Sequence, residues 1–471
     1  MTRAAILGGG LAGMLTAAAL SDHVDEIVVL EEDRYPQSPA PRKGLPQGNH
    51  SHMLMGGGAL ALEGLLPGTL DRLYLEGAQR RGMPAGMLTL SAAGWHQRHD
   101  GQAFVIACGR HLLDHVVRQQ VLLNPKVTVR QSAKVAGLLG SAQRVTGVRV
   151  TDADLSDGVL DADLVIDATG RRSKATEWLA ELGLSLEEDF VDPGMTYATR
   201  LYEAPPDADD DFPAVLIQPA AGTGRPGQGG TLFVIEGRQW IVTMCGTRGG
   251  EPPTDAAGYQ EFAAGLANSV TAELISLATP ISEIRPHRGT ANRRRYFERL
   301  PVPAGFVAVG DAVAAMNPVY AHGMSVAALG AAALGRDVER LGLAPELAAT
   351  AQASIAAVTD GPWGMASGQD LAFPGVRTNV APQPPDPQVV AFHQNMGRLL
   401  LTEPEVANAM FGMYTLAVPA EQMITPAVQE VLSRDPSRPP LDAAEAIGQF
   451  PAVGALLGRH SGAIDDDLVV G

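Results

Sequence analysis

AAILGGGLAG, residues 4–13, decides the architecture. Four apolar residues run into glycines, an alanine-rich stretch continues to Leu20, and a second apolar run, EIVVLEE, follows at 26–32. Uninterrupted apolar runs of this kind suit strands buried on both faces of a parallel sheet. The spacing therefore predicts a strand, a glycine turn, a helix and a second strand. Gly8, Gly10 and Gly13 form the pattern G-x-G-x-x-G. The first glycine permits a tight turn, the second lets the backbone approach a pyrophosphate, and the third lets helix pack on strand. Unpaired N–H groups and a partial positive charge at the helix start favour an anion there. Glu31 closes the second strand, where a carboxylate can accept from both hydroxyls of an adenosine ribose. Alone, the triplet is also what an ordinary turn would show in a chain with 53 glycines. Strand, helix, strand and terminal acid together point to a dinucleotide.

Further along, residues 32–54 contain too many prolines for regular structure. Helices are predicted near 56–66 and 110–123, and DADLVIDATGRRS (161–173) is a buried strand ending in a glycine turn. MTYATRLYEA, TLFVIEG and QWIVTMCG alternate as half-buried antiparallel strands do. GFVAVGD (305–311) returns to the buried parallel type, with a helix beginning near Ser325. The predicted class is α/β: a Rossmann-like dinucleotide-binding domain in two parts (1–185 and 291–345), read below as FAD-binding. An antiparallel-sheet substrate domain (186–290) interrupts it, and a helical C-terminal region (346–471) follows. Residues 381–387 and 435–440 are expected as loops between helices, and the acidic run 207–211 as an exposed loop.

GDAVAAMNPVYAHGM, residues 310–324, supplies the second grip. Asp311 stands at a strand's C-terminal end, where open α/β sheets meet their ligands. There it can accept from the hydroxyls of a ribityl chain. Pro318, Gly323 and Met324 add a loop and a fresh helix N-terminus, which can stabilise negative charge on a reduced flavin ring. The two glycine-lined stretches read as the two halves of an FAD site.

Composition removes other classes. With 52 acids against 35 bases the net charge is −17, which argues against nucleic acid. Two cysteines without a CxxC exclude a disulfide framework and point to a reducing cytoplasm. The N-terminus lacks a signal-peptide pattern, and no stretch approaches the roughly 18–20 apolar residues of a membrane span. His50 and His52 could share a face, but a third metal ligand is missing nearby, so no metal is expected; exposure or contact with a flavin edge remains. Arg293, Arg294 and Arg295 are expected as a solvated basic face, the alternative being a phosphate of a carrier arm or nicotinamide cofactor.

Taken in order, GGGLAG with Glu31, Arg110 in CGRHLLD, DLVIDATG and GDAVAAMNPVYAHGM resemble the FAD-dependent aromatic-hydroxylase-type monooxygenases. Within that superfamily RKGLPQGNHSHML, MTYATRLY, TRGGEPP, NRRRY and NPVYAHGMS are similar to the polyether-antibiotic polyene epoxidases of the monensin and lasalocid type. The resemblance implies that Gly8, Gly10, Gly13 and Glu31 hold the ADP half of FAD. Arg42 and Arg110 would meet the pyrophosphate or flavin side, Asp311 the ribityl chain, and Pro318, Gly323 and Met324 the ring. It also implies that reduced flavin adds dioxygen to give a C4a-hydroperoxide, which an alkene of a linear polyketide polyene attacks to become an epoxide. The polyene would be free or tethered to a carrier protein, with electrons from NAD(P)H bound directly or through a separate flavin reductase. No side-chain nucleophile is then required. Tyr197, Phe233 and Trp240 are candidates for the substrate-pocket wall or for ordinary core. Thr169 stands where the hydroxylases carry the acid of Asp-Gly, which leaves nicotinamide binding open. A flavin-dependent alkene reductase of the geranylgeranyl type and a non-catalytic flavin-binding redox protein are the alternative readings. A halogenase is disfavoured because the four tryptophans lie far apart.

Overall fold

The computed structural model describes residues 1–152, 158–209, 211–381, 386–433 and 436–466. Residues 210, 382–385 and 435, which fall in the acidic run and in the two expected loops, lie outside the described residues. The apolar runs read from the sequence form one parallel sheet. Its order is Phe306–Ala308, Leu164–Asp167, Arg3–Leu7, Glu26–Glu31 and Val127–Gln131, every pair parallel. Ala4 to Leu7, Ile27 to Leu30 and Leu164 to Ile166 are all at most 2% exposed, as strands covered on both faces must be. Helices Leu11–Leu20, Arg110–Val121, Gly323–Leu341 and Leu347–Leu371 pack around this core. Burial of each large aliphatic side chain there contributes about 1.5–3 kcal/mol.

The chain leaves this unit through Glu188–Asp192 and returns through Asn292–Arg295, two antiparallel strands paired side by side. Between them a larger sheet forms, with Thr196–Glu203 beside Gln239–Gly246, then Gln228–Ile235 and Ala214–Ile217. Beyond Ala214–Ile217 the sheet recruits Met87–Ser91 in parallel and Gly94–Trp95, both from well before residue 186. Sequence order alone could not show that borrowing, because an eight-stranded sheet collects strands by packing face. The stretch 32–54 is less irregular than its prolines imply: Pro46–Asn49 forms a short 3₁₀ turn, and Met53–Met55 pairs with Phe104–Ala107. Past residue 346 helices dominate, including Pro387–Leu400, Pro404–Tyr414, Pro426–Leu432 and Ala443–Gly448. No described helix is long and apolar enough to cross a membrane.

Candidate active site

Three neighbouring strands of the parallel sheet end at the same level, Leu7 beside Asp167 and Asp167 beside Ala308. Their turns converge. Gly8 has φ +99°, and a Cβ added there would lie 2.6 Å from the Ala168 carbonyl oxygen. A Cβ on Gly13 would sit 1.9 Å from the Gly8 carbonyl oxygen, so the helix touches its strand through bare backbone. Gly10 differs. Its nearest neighbour would be an Arg42 nitrogen at 3.9 Å, which leaves open space before the uncapped start of the helix Leu11–Leu20. Glu31 closes one strand, and Asp311 follows three residues after the end of another that lies three strand spacings, about 14 Å, across the sheet.

At the Glu31 end the carboxylate accepts from the Gly9 and Asp33 amides, each at 2.9 Å. Arg42 lies 3.4 Å from Glu31, 3.3 Å from Asp33 and 3.4 Å from Asp114, a buried cation among three acids. Burial still raises the Glu31 pKa, opposed by Arg42. Tyr35, which the motif reading missed, donates its hydroxyl to the Gly9 carbonyl at 2.9 Å and lies under the Arg42 and Arg118 guanidiniums. An aromatic four residues past the second strand was its one sequence signal.

At the other end, Asp311 follows Gly310, whose φ is +59°. A Cβ on Gly323, the first residue of the helix Gly323–Leu341, would lie 3.4 Å from Asp311 Oδ1, so carboxylate and helix start are adjacent. Met324 packs back onto the sheet core, and Pro318 opens a short turn capped by the Asn317 side chain on the Val319 amide. Among the described residues the Asp311 carboxylate takes no hydrogen bond or ion pair, and Arg110 Nε is buried without a partner. Burial raises Asp311 against the opposing charges of Arg171, Arg110 and Arg295. Burial lowers Arg110, opposed by Asp114 and Asp311. An unpartnered acid, an unpartnered guanidinium and a bare glycine turn fit a group that brings hydroxyls to one and phosphate to the other.

The turn at Pro318 is fixed from a distance. Asp370, on the helix Leu347–Leu371, accepts from Tyr320 Oη at 2.6 Å, Asn292 Nδ2 at 2.6 Å and Asn317 Nδ2 at 2.9 Å. Asn317 in turn accepts from Tyr197 Oη at 3.0 Å. Nothing in the alanine-rich run around Asp370 announces this.

Against that turn lies an open cleft lined by Met53, Tyr197, Phe233, Cys245, Pro318 and Val319 together with polar groups that include His50, Ser51 and His287. Tyr197 and Phe233 are wall residues. Trp240 is not: it is fully buried on the opposite face of the sheet against Phe212, ring centroids 5.0 Å apart. Successive strand residues point to opposite faces, and Tyr197 stands opposite Cys245, so Ile241, Thr243 and Cys245 face the cleft while Trp240, Val242 and Met244 do not. Exposure of His50 is also overturned. It is 5% exposed, with Nδ1 2.7 Å from Thr199 Oγ1, and the partly buried His52 donates Nδ1–H to the His50 carbonyl at 2.7 Å. Burial pushes both imidazoles down to about 3. No metal-holding cluster occurs among the described residues. The basic face expected at 293–295 is wrong for two of three residues. Arg294 is 0% exposed, paired with Glu298 and Asp360, and Arg295 is 1% exposed, paired with Glu188 and donating to the Ala312 carbonyl. Acids and carbonyl oxygens around them take the place of water at their terminal nitrogens, while Nε of each is left without a hydrogen bond among the described residues.

None of the residues lining the cleft is Asp, Glu, Lys or Arg. Burial pushes the Cys245 thiol up to about 12 and Tyr197 well above its ordinary value, and it lowers His287. Every ionisable group on the wall is therefore neutral at pH 7.

A family model described as FAD binding domain matches residues 1–341. The protein is 29% identical over 429 residues to Protein Rv3254 of Mycobacterium tuberculosis H37Rv, covering 88% of this chain and 89% of that one. Among solved structures it is similar to the p-nitrophenol 4-monooxygenase PnpA of Pseudomonas putida DLL-E4, with a TM-score of 0.61, 18% identity and coverage of 90% and 99%. It is also similar to PqsL of Pseudomonas aeruginosa, a probable FAD-dependent monooxygenase, with a TM-score of 0.60, 15% identity and coverage of 79% and 97%. At those identities the likeness is one of fold.

Proposed function

The chain belongs to the FAD binding domain family, and from that premise we propose that it is an FAD-dependent monooxygenase that epoxidises alkenes of a linear polyketide polyene in polyether-type biosynthesis. Gly8, Gly10, Gly13 and Glu31 would hold the ADP half, Arg42 and Arg110 the pyrophosphate or flavin side, and Asp311 the ribityl chain. Pro318, Gly323 and Met324 would border the ring. Bound flavin, reduced by NAD(P)H directly or through a separate reductase, supplies the oxygen-activating chemistry. What the protein adds is position and dryness. Met53, Phe233 and Val319 keep water from the reacting face, and the turn at Pro318 holds the substrate edge to edge with the cofactor site.

The observation that carries this reading is the neutrality of the cleft at the Pro318 turn, from which the chain runs on to Gly323 and the Asp311 carboxylate. A wall without an ionised nucleophile, acid or base suits a reaction whose hard step belongs to a cofactor, and the apolar part of that wall, Met53, Phe233 and Val319, suits an uncharged chain of alkenes. The test is to incubate the FAD-loaded protein with NADPH, oxygen and a linear polyene polyketide, following oxygen uptake and product mass. Successive gains of one oxygen atom are expected. Saturation of the alkene without oxygen uptake would replace this reading with that of an alkene reductase, and no substrate-dependent flavin reoxidation would leave a non-catalytic redox protein.

A further inference from the structure

The floor of the cleft carries a row of hydroxyls that the chemistry above does not use. Thr199 stands opposite Thr243, and Thr243 stands opposite Thr231, so three threonines lie side by side across three neighbouring strands on the face shared with Tyr197, Phe233 and Cys245. Thr199 Oγ1 is 2.7 Å from Thr243 Oγ1. Ser51 meets Thr243 twice, hydroxyl to hydroxyl at 2.8 Å and amide to hydroxyl at 3.1 Å. His50 Nδ1 closes the other end on Thr199 at 2.7 Å, and its Nε2 takes no hydrogen bond from the described residues. Thr231, the third of the row, lines the cleft with its hydroxyl buried and unpartnered.

Counting protons along this rail gives it two states. If neutral His50 carries its proton on Nδ1, the hydroxyls point in sequence toward Ser51, which then offers O–H to the cleft while His50 Nε2 offers a lone pair. If the proton sits on Nε2, the hydroxyls run the other way, and His50 donates while Ser51 accepts. Either way both ends stay uncharged, and one donor and one acceptor face the ligand. A hydrocarbon would leave Thr231 and both rail ends unsatisfied, and buried polar groups without partners are costly. A carboxylate or phosphate would meet no cation on this wall.

We propose that the cleft recognises an uncharged oxygen function of its substrate, a hydroxyl or carbonyl, through Thr231 and the His50–Thr199–Thr243–Ser51 rail. The occupant is thus an oxygenated neutral lipid-like chain rather than a bare hydrocarbon or an acid. This rests on the reading of the cleft as the substrate site, but equilibrium binding tests it apart from turnover, so failure to epoxidise would not count against it.

Calorimetric titration of the FAD-loaded protein with geraniol, geranic acid and 2,6-dimethylocta-2,6-diene, matched in carbon skeleton, reads the preference directly. Geraniol should bind about tenfold more tightly than either of the others, the range expected from one or two neutral hydrogen bonds. Thr231→Val should bring geraniol to within about threefold of the diene, while Thr231→Ser keeps the preference. Should Thr231→Val fail to fold, Thr199→Val, which cuts the rail at its centre, serves the same purpose. Equal affinity for geraniol and the diene in the unaltered protein, tighter binding of geranic acid, or a preference untouched by both valine variants would overturn the proposal.

Discussion

Asn317 and Asp370 are joined by a buried hydrogen bond of 2.9 Å that ties the turn at Pro318 to a helix residue 53 positions further along the chain. The same carboxylate also holds Tyr320 and Asn292. Removing it leaves three buried donors without an acceptor, each costing about 1–3 kcal/mol. Asp370→Ala is accordingly expected to lose about 3 kcal/mol or more of unfolding free energy in urea, and to weaken FAD binding because Pro318 and Tyr197 are released together. Unchanged stability would mean that the turn is held by its other contacts alone.

Gly10 and Gly13 should respond differently to the same added methyl group. At Gly13 the Cβ collides with the Gly8 carbonyl at 1.9 Å, so Gly13→Ala should destabilise the whole FAD-binding unit. At Gly10 there is room, 3.9 Å to the nearest atom, so Gly10→Ala should fold with a nearly normal melting temperature yet purify with little FAD. Comparing apoprotein melting with flavin content separates the two.

Phe233 and Trp240 lie on opposite faces of one sheet. Phe233→Leu is expected to raise KM for the substrate with a cost of about 1 kcal/mol in stability, whereas Trp240→Phe should lower the melting temperature and leave KM alone. Steady-state kinetics beside thermal melts checks both, and a KM shift in Trp240→Phe would contradict the assignment of faces.

His50 and His52 make stability fall in acid. Their folded-state values near 3 lie below the ordinary 6.5, so the unfolded chain binds more protons than the folded one between those limits. Each group's contribution is complete above about pH 6.5 and is lost as the pH falls toward 3, with a slope approaching 1.4 kcal/mol per pH unit. His52→Asn keeps a donor toward the His50 carbonyl but cannot titrate, so its urea stability should decline about one proton's slope less steeply between pH 6 and pH 4.5. Parallel pH profiles would place the acid sensitivity elsewhere.

Much of this was legible in the residues. The glycine turn, the apolar strands and the ends at Glu31 and Asp311 follow from spacing and composition, since each is a demand that neighbouring residues satisfy for themselves. Arg294 and Arg295 were not legible: three consecutive arginines look solvated until Glu188, Glu298 and Asp360 are seen around them. Asp370 was silent for the same reason, its partners Asn292 and Tyr320 lying 78 and 50 positions away.

The sequence by itself determined the parallel sheet, the two glycine-lined strand ends and the alternation of the strands that cover them. Alternation defines two faces for Gln239–Gly246 but does not label them. Only the pairing of Tyr197 with Cys245 turned Thr243 toward the cleft and Trp240 away from it, and only three strands side by side made a row of Thr199, Thr243 and Thr231. Local pattern sets what a segment can be; which of its faces meets a ligand is settled by register with strands distant in the chain, where a slip of one residue exchanges the two.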